Sequence, residues 1–134
     1  MEQQKIETPA DAVTMIRAAL PKEQKEERVF VLPLDAHGKV IAKPILVSVG
    51  HEDGTAAIDA GAIFREALKA GAEEIIVAHN HPSGDPTPSK ADIAATKELK
   101  ALASRLGVAL VDHIVIGSSS SADGGFVSLA EILS

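Results

Sequence analysis

The chain has 134 residues, 46 % of them hydrophobic, and 13 Lys and Arg against 19 Asp and Glu give it a formal net charge of −6. That length suits one domain whose core needs no disulfide or metal staple, and the apolar share excludes a disordered tail. Scattered basic residues within an acidic total, with few aromatics to stack bases, speak against nucleic acid as a partner for this chain alone. No cysteine is present, so any metal must be held by histidine and carboxylate.

The opening MEQQKIETPA has no basic region leading into an apolar run, so no secretory signal is expected. No apolar stretch approaches the ~20 residues that span a bilayer. The expectation is a cytoplasmic protein without membrane contact, a single domain over residues 1–134 with 1–26 as an amino-terminal helical segment. Its oligomeric state is open.

In chain order, Thr8-Pro9 predicts a helix start, a hydroxyl cap followed by proline at the first helical position. Val13, Ile16, Ala19 and Leu20 follow at helical spacing until Pro21, and Lys22–Glu27 reads as an exposed charged connection. Arg28–Asp35 and Lys39–Val49 read as two strands of a hairpin turned at His37-Gly38, with Pro33 and Pro44 marking edges or bulges. Ala60, Ile63, Phe64, Ala67 and Leu68 trace one face of a second helix that ends near Gly71. Glu74–His79 contains a continuous apolar run, as in a strand buried on both faces. A proline-rich turn leads to a longer helix, Ser89–Leu106, with Ile93, Leu99, Leu102, Ala103 and Leu106 inward and Gly107 closing it. Val108–Gly117 is a further strand and Ser128–Leu133 a short helix. Helices alternating with strands imply helical layers on a central sheet.

The chemistry concentrates in HNHPSGDPTPSKAD, residues 79–92. Residues two apart on a strand share a side, so His79 and His81 converge while Asn80 points away. The stiff turn after them must fold back and bring the next helix's first turn, with Ser89 and Asp92, beside the imidazoles. Two neutral imidazoles and a carboxylate suit zinc, and three protein ligands leave a position for water. Ser89-Lys90-Ala91-Asp92 also fits a capping box, which accounts for Ser89 and Asp92 without metal but not for the histidines. A metal hydrolase needs a base as well. Glu27, at the start of the first strand, is a candidate; spacing alone favours reading it as one more solvated charge in the KEQKEER run. His37 reads as an exposed turn residue and His51 as part of an acidic loop. His113 reads as structural, with a supporting place beside the site as its alternative. Thr96 is placed to bond the Asp92 carboxylate or to face the core. Ser118–Ser121 reads as a loose loop.

A glutamate ahead of His-x-His, seven residues and Ser-x-x-Asp resembles the pattern of JAMM-type (MPN-domain) metallopeptidases. HNHPSGDPTPS with Asp92 and Thr96, then LVDHIVIG and a late F-V-S-L segment, resembles the RadC family of bacterial JAMM-like proteins, from about Thr8 to the carboxyl end. The resemblance implies zinc held by His79, His81 and Asp92, Ser89 steadying the oxyanion, and Glu27 as general base. It also implies a three-layer α-β-α fold with a mixed central sheet, similar to cytidine deaminases, although the deaminase H-x-E…P-C-x-x-C signature is missing. The sequence departs from the family pattern in three places: these 134 residues contain no helix-hairpin-helix region, Gly61-Ala62 replaces an Arg-Glu pair, and His51-Glu52-Asp53 replaces Thr-Leu-Asn. The leading expectation is a zinc-dependent hydrolase of peptide or isopeptide bonds, acting on a peptide or protein substrate. A metal-binding interaction module without turnover, or an accessory protein fitting the family's DNA-repair label, is the alternative; the charge speaks against the second.

Overall fold

The computed structural model describes residues 4–50, 58–118 and 124–133. The His51-Glu52-Asp53 loop and residues 119–121 of the serine run lie outside them. The elements are α1 (Pro9–Ala19), β1 (Arg28–Leu34), β2 (Ile45–Val49), α2 (Ala60–Lys69), β3 (Glu74–Asn80), α3 (Lys90–Leu106), β4 (Ala109–Ile116), β5 (Phe126–Ser128) and α4 (Leu129–Leu133). One five-stranded sheet runs β2-β1-β3-β4-β5. It is mixed: β1 lies antiparallel to β2 and β3, β3 parallel to β4, and β4 antiparallel to β5.

Alternation along the strands divides the core in two. Val29, Val31, Ile75 and Val77 pack with Ile63 and Phe64 of α2 and Leu99 and Ala103 of α3. Phe30, Leu32, Ile76, Ala78, Ile114 and Ile116 face Ala12, Val13 and Ile16 of α1. Helices therefore cover both faces, which gives the three-layer α/β arrangement the sequence led us to expect. Each fully buried Ile or Leu contributes about 1.5–3 kcal/mol, and β3 carries such residues on both sides, which is why it reads as an unbroken apolar run.

Thr8 caps α1 in a complete capping box with Asp11, behind Pro9. Asp59 caps α2, and Gly107 ends α3 at φ +71°, a left-handed conformation that suits glycine. Several details depart from the sequence reading. The second strand of the hairpin is only Ile45–Val49: Val40 bridges Leu34 and the Ile41 N–H donates to the Pro33 carbonyl, but residues 42–44 leave the ladder. Pro33 lies in an interior strand, tolerated because the β2 ladder ends at Val31–Ile45, and the irregularity in that ladder falls between Val29 and Phe30. Leu68 and Leu106, at the last turns of their helices, are 52 % and 41 % exposed, and Ala19 is exposed too. Helical periodicity extended to the ends of α2 and α3 overran the part that meets the sheet.

Candidate metal centre

β3 ends where its chemistry begins. The backbone N–H of His81 donates to the Ile116 carbonyl at 2.8 Å, carrying the pairing with β4 one residue past the strand and holding His81 extended. His79 and His81 thus point to the same side. The turn then folds back tightly. Gly84 donates to the His81 carbonyl at 2.9 Å, and Asp85 accepts from both the backbone N–H and the hydroxyl of Thr87. Ser118 donates to the Gly84 carbonyl at 2.8 Å, and a side chain at Gly117 would collide with that same carbonyl. The absence of a Cβ there lets the turn lie against the end of β4.

Ser89 opens α3 with the capping box read from the sequence: the Asp92 N–H donates to Ser89 Oγ at 3.0 Å, and the Ser89 N–H to Asp92 Oδ2 at 2.9 Å. The box is no alternative to a metal site. It fixes the Asp92 rotamer, and the fixed carboxylate faces the histidines. Nε2 of His79 and Nε2 of His81 stand 3.2 Å apart; Asp92 Oδ1 is 3.2 Å from the first and Asp92 Oδ2 3.2 Å from the second. Four-coordinate zinc with bonds of about 2.0–2.1 Å spaces its ligand atoms about 3.3 Å apart. Among the described residues these three alone form a group able to hold an ion.

The donor chemistry fits an ion as well. Nδ1 of His81 lies 2.9 Å from the Asp85 carbonyl, which only accepts, so Nδ1 carries a proton and a neutral His81 presents a bare Nε2. That lone pair faces another imidazole nitrogen and a carboxylate, a set of atoms that could hold a cation. Without one, a proton takes its place: the hydrogen bond with Asp92 raises the His81 pKa against the effect of burial, with the Asp85 carbonyl adding to the rise. Burial pushes the Asp92 carboxyl up, but its close contacts with the His79 and His81 rings, the positive charge a protonated His79 would bring, and the Ser89 N–H hold it well below the usual carboxylate range.

Glu27 is not the solvated charge that its KEQKEER neighbours suggest. It is only 6 % exposed, and its Oε1 lies 3.9 Å from His79 Nε2. Burial raises its pKa, the nearby histidines oppose this, and Asp92 adds to it. Asn80, read only as pointing away, proves to be what holds Glu27. Its Oδ1 accepts from the Arg28 N–H at 2.7 Å, and its Nδ2 donates to the Glu26 carbonyl and Gln24 Oε1, each at 3.1 Å. The backbone on both sides of Glu27 is thus gripped from the opposite face of β3. The one sequence sign was a polar residue inside a strand otherwise buried on both faces.

Behind His79 lies a second buried group. His79 Nδ1 is 2.9 Å from Nε2 of His113, and His113 Nδ1 is 2.6 Å from the Thr96 hydroxyl. Thr96 reaches the main-chain carbonyl of Asp92 at 2.8 Å and not its carboxylate, and it is buried, so of the two placements read from spacing the core-facing one holds. His113 is fully buried, and burial pushes its pKa down to about 3, helped by His79. Its neighbour Asp112 takes no part in the centre. It accepts from Ser128 Oγ at 2.6 Å and from the Ala130 N–H at 3.0 Å, tying β5 and the start of α4 to β4. Beside His81 opens a polar hollow of about 270 Å³, lined in part by Arg17, Lys22, Gln24 and Ser118.

The family model described as the RadC-like JAB domain matches residues 6–132. The chain belongs to the RadC-like JAB-domain family. It is similar to a UPF0758 protein of Clostridium perfringens, 38 % identical over 131 residues that make up 98 % of this chain and 54 % of that protein. A UPF0758 protein of Carboxydothermus hydrogenoformans is 42 % identical over 111 residues, 83 % of this chain and 48 % of the relative. One from Methanosarcina mazei is 35 % identical over 127 residues, 95 % and 52 % respectively. The chain thus spans about half the length of the curated relatives it matches. Family membership agrees with the resemblance drawn from HNHPSG and its flanks, and no helix of the described residues is long and apolar enough to cross a membrane.

Proposed function

We propose that this JAB domain is a zinc-dependent hydrolase of amide bonds, acting on peptide or isopeptide links in a peptide or protein substrate. The observation that carries the reading is Glu27. A fold gains nothing from burying a second carboxylate beside Asp92, where desolvation and like charge both oppose it. A site that needs both an anionic ligand and a base gains a great deal. Two imidazoles and one carboxylate are a donor set suited to zinc, which when bound supplies carbonyl polarisation and lowers the pKa of water to about 7.

The chain's own residues divide the remaining work. His79, His81 and Asp92 hold the ion. Glu27 Oε1 takes a proton from the attacking water and returns it to the leaving nitrogen; burial raises its pKa, which makes it a better proton acceptor than a solvated carboxylate. Ser89 accepts the Asp92 N–H at its oxygen, which leaves its own hydroxyl proton to donate to a developing oxyanion. Burial of His79, Glu27 and Asp92 keeps bulk water from screening these interactions. An extended peptide pairing along the edge strand β2 would pass near Glu27, because Val49 pairs with Arg28 and Gly50 donates to the Glu27 carbonyl. The cysteine-free composition suits the cytoplasm.

The test is metal analysis of chain purified without chelator, paired with a panel of peptide and isopeptide substrates. One zinc per chain and turnover that disappears in Glu27→Gln, with zinc retained, are expected. Turnover unchanged in Glu27→Gln would remove Glu27 as the base, and zinc-loaded chain that cleaves nothing on the panel would favour a binding module.

A further inference from the structure

Metal-bound histidines usually donate their second nitrogen to a carboxylate, a backbone carbonyl or water. His81 follows that habit through the Asp85 carbonyl. His79 does not: its second nitrogen meets another imidazole, so nothing at first sight decides which of the two carries the proton. The decision can be traced outward. The Asp92 main-chain carbonyl only accepts, so the Thr96 hydroxyl spends its single proton there. The Thr96 oxygen, 2.6 Å from His113 Nδ1, is then left to accept, which places a proton on that nitrogen. His113 is fully buried, and among the described residues the one carboxylate it bonds, that of Asp112, takes its backbone N–H and not the ring, which favours the neutral imidazole. Its Nε2 therefore carries a lone pair and accepts from His79 Nδ1–H. With the proton on Nδ1, His79 presents a bare Nε2 to His81 and Asp92.

We infer that Thr96 and His113 are positioning residues, a neutral hydroxyl–imidazole relay that presets His79 in the one tautomer able to bind a metal. The inference rests on the metal reading of the site. The relay starts from α3, the helix that also supplies Asp92, so one helix turn orients a carboxylate ligand directly and an imidazole ligand at second hand. It also adds no charge. A carboxylate behind His79 would make the surroundings of the ion more anionic; here Asp92 is the sole anionic ligand, and a divalent ion keeps net positive charge with which to polarise a substrate.

The competing network is definite. If Thr96 donates to His113 instead, every proton shifts along the relay, and His79 carries Nε2–H pointing into the site. Long-range ¹H–¹⁵N correlation spectra of the imidazoles in the metal-free chain at alkaline pH tell the two apart. Protonated Nδ1 on both His79 and His113 is expected; protonated Nε2 on His79 would overturn the relay. A zinc-chelator competition provides the second readout. Thr96→Val, nearly isosteric, is expected to weaken zinc binding about 10-fold, the scale of lost supporting contacts around a metal site, and Thr96→Ser to restore it to within about threefold. Thr96→Val with unchanged zinc affinity, or Thr96→Ser no better than valine, contradicts the inference. The spectra of the unmutated chain decide the matter even if a variant folds poorly. Unmutated chain that shows the expected tautomers but binds no zinc would count against the metal reading and not against the relay.

Discussion

The two faces of β3 near its carboxyl end do opposite jobs with the same strand. On the side of α2 and α3, Val77 gives way to His79 and then His81, and the buried surface turns into a converging set of acceptors. On the side of α1, Ala78 gives way to Asn80, whose amide is satisfied by backbone on both sides of Glu27. One face could hold a cation; the other satisfies its polar groups within the chain. The difference shows how one alternating tripeptide both supplies ligands and holds the base that would work beside them. It also separates what each residue should cost when removed.

The largest expected effect lies on the ligand face. His81→Ala removes a ligand that is partly exposed, so the chain should fold while stoichiometric zinc binding is lost, as read by metal analysis after dialysis. Retained zinc in that variant would erase the distinction between the faces. On the other face, Asn80→Ala leaves the Arg28 N–H and the Glu26 carbonyl without a partner. It should cost about 1–3 kcal/mol in denaturant unfolding, the penalty for buried groups stripped of hydrogen bonds, with zinc affinity close to that of the parent chain. A smaller effect is expected where the two roles overlap: Ser89→Ala loses the cap of α3, about 1 kcal/mol, and loosens Asp92 enough to weaken zinc binding measurably.

The smallest effect is in pH. In the metal-free chain the folded pKa of His81 lies above 6.5, so its proton contributes stability that is fully present below about pH 6.5 and lost as pH rises through the raised value. Asp92, held below 3.8, contributes stability present above that value and lost as pH falls further. Thermal melts should therefore drop by roughly a few degrees from the mildly acidic to the alkaline side of neutrality. Zinc, which requires His81 deprotonated, should reverse that trend.

Much of this was legible in the chain. His79, His81 and Asp92 were readable because strand alternation and a proline-stiffened turn are local rules, and their meeting needs little else. The capping box at Ser89 was readable for the same reason, and the structure shows it to be the device that aims Asp92 at the two histidines. Glu27 was not legible from its neighbours, since its burial depends on Asn80, more than fifty residues away, gripping the backbone around it. His113 and Thr96 lie on different elements and meet only once β4 and α3 pack. Three-residue β5 was too short to show periodicity, and its place depends on Asp112 tying Ser128 to β4.

Zinc-edge X-ray absorption of the loaded chain tests the central claim most directly. Two imidazoles with the remaining positions filled by oxygen donors is the expected coordination, reduced to one imidazole in His81→Ala if any zinc remains. A spectrum from the unmutated chain with fewer than two imidazoles would contradict the account.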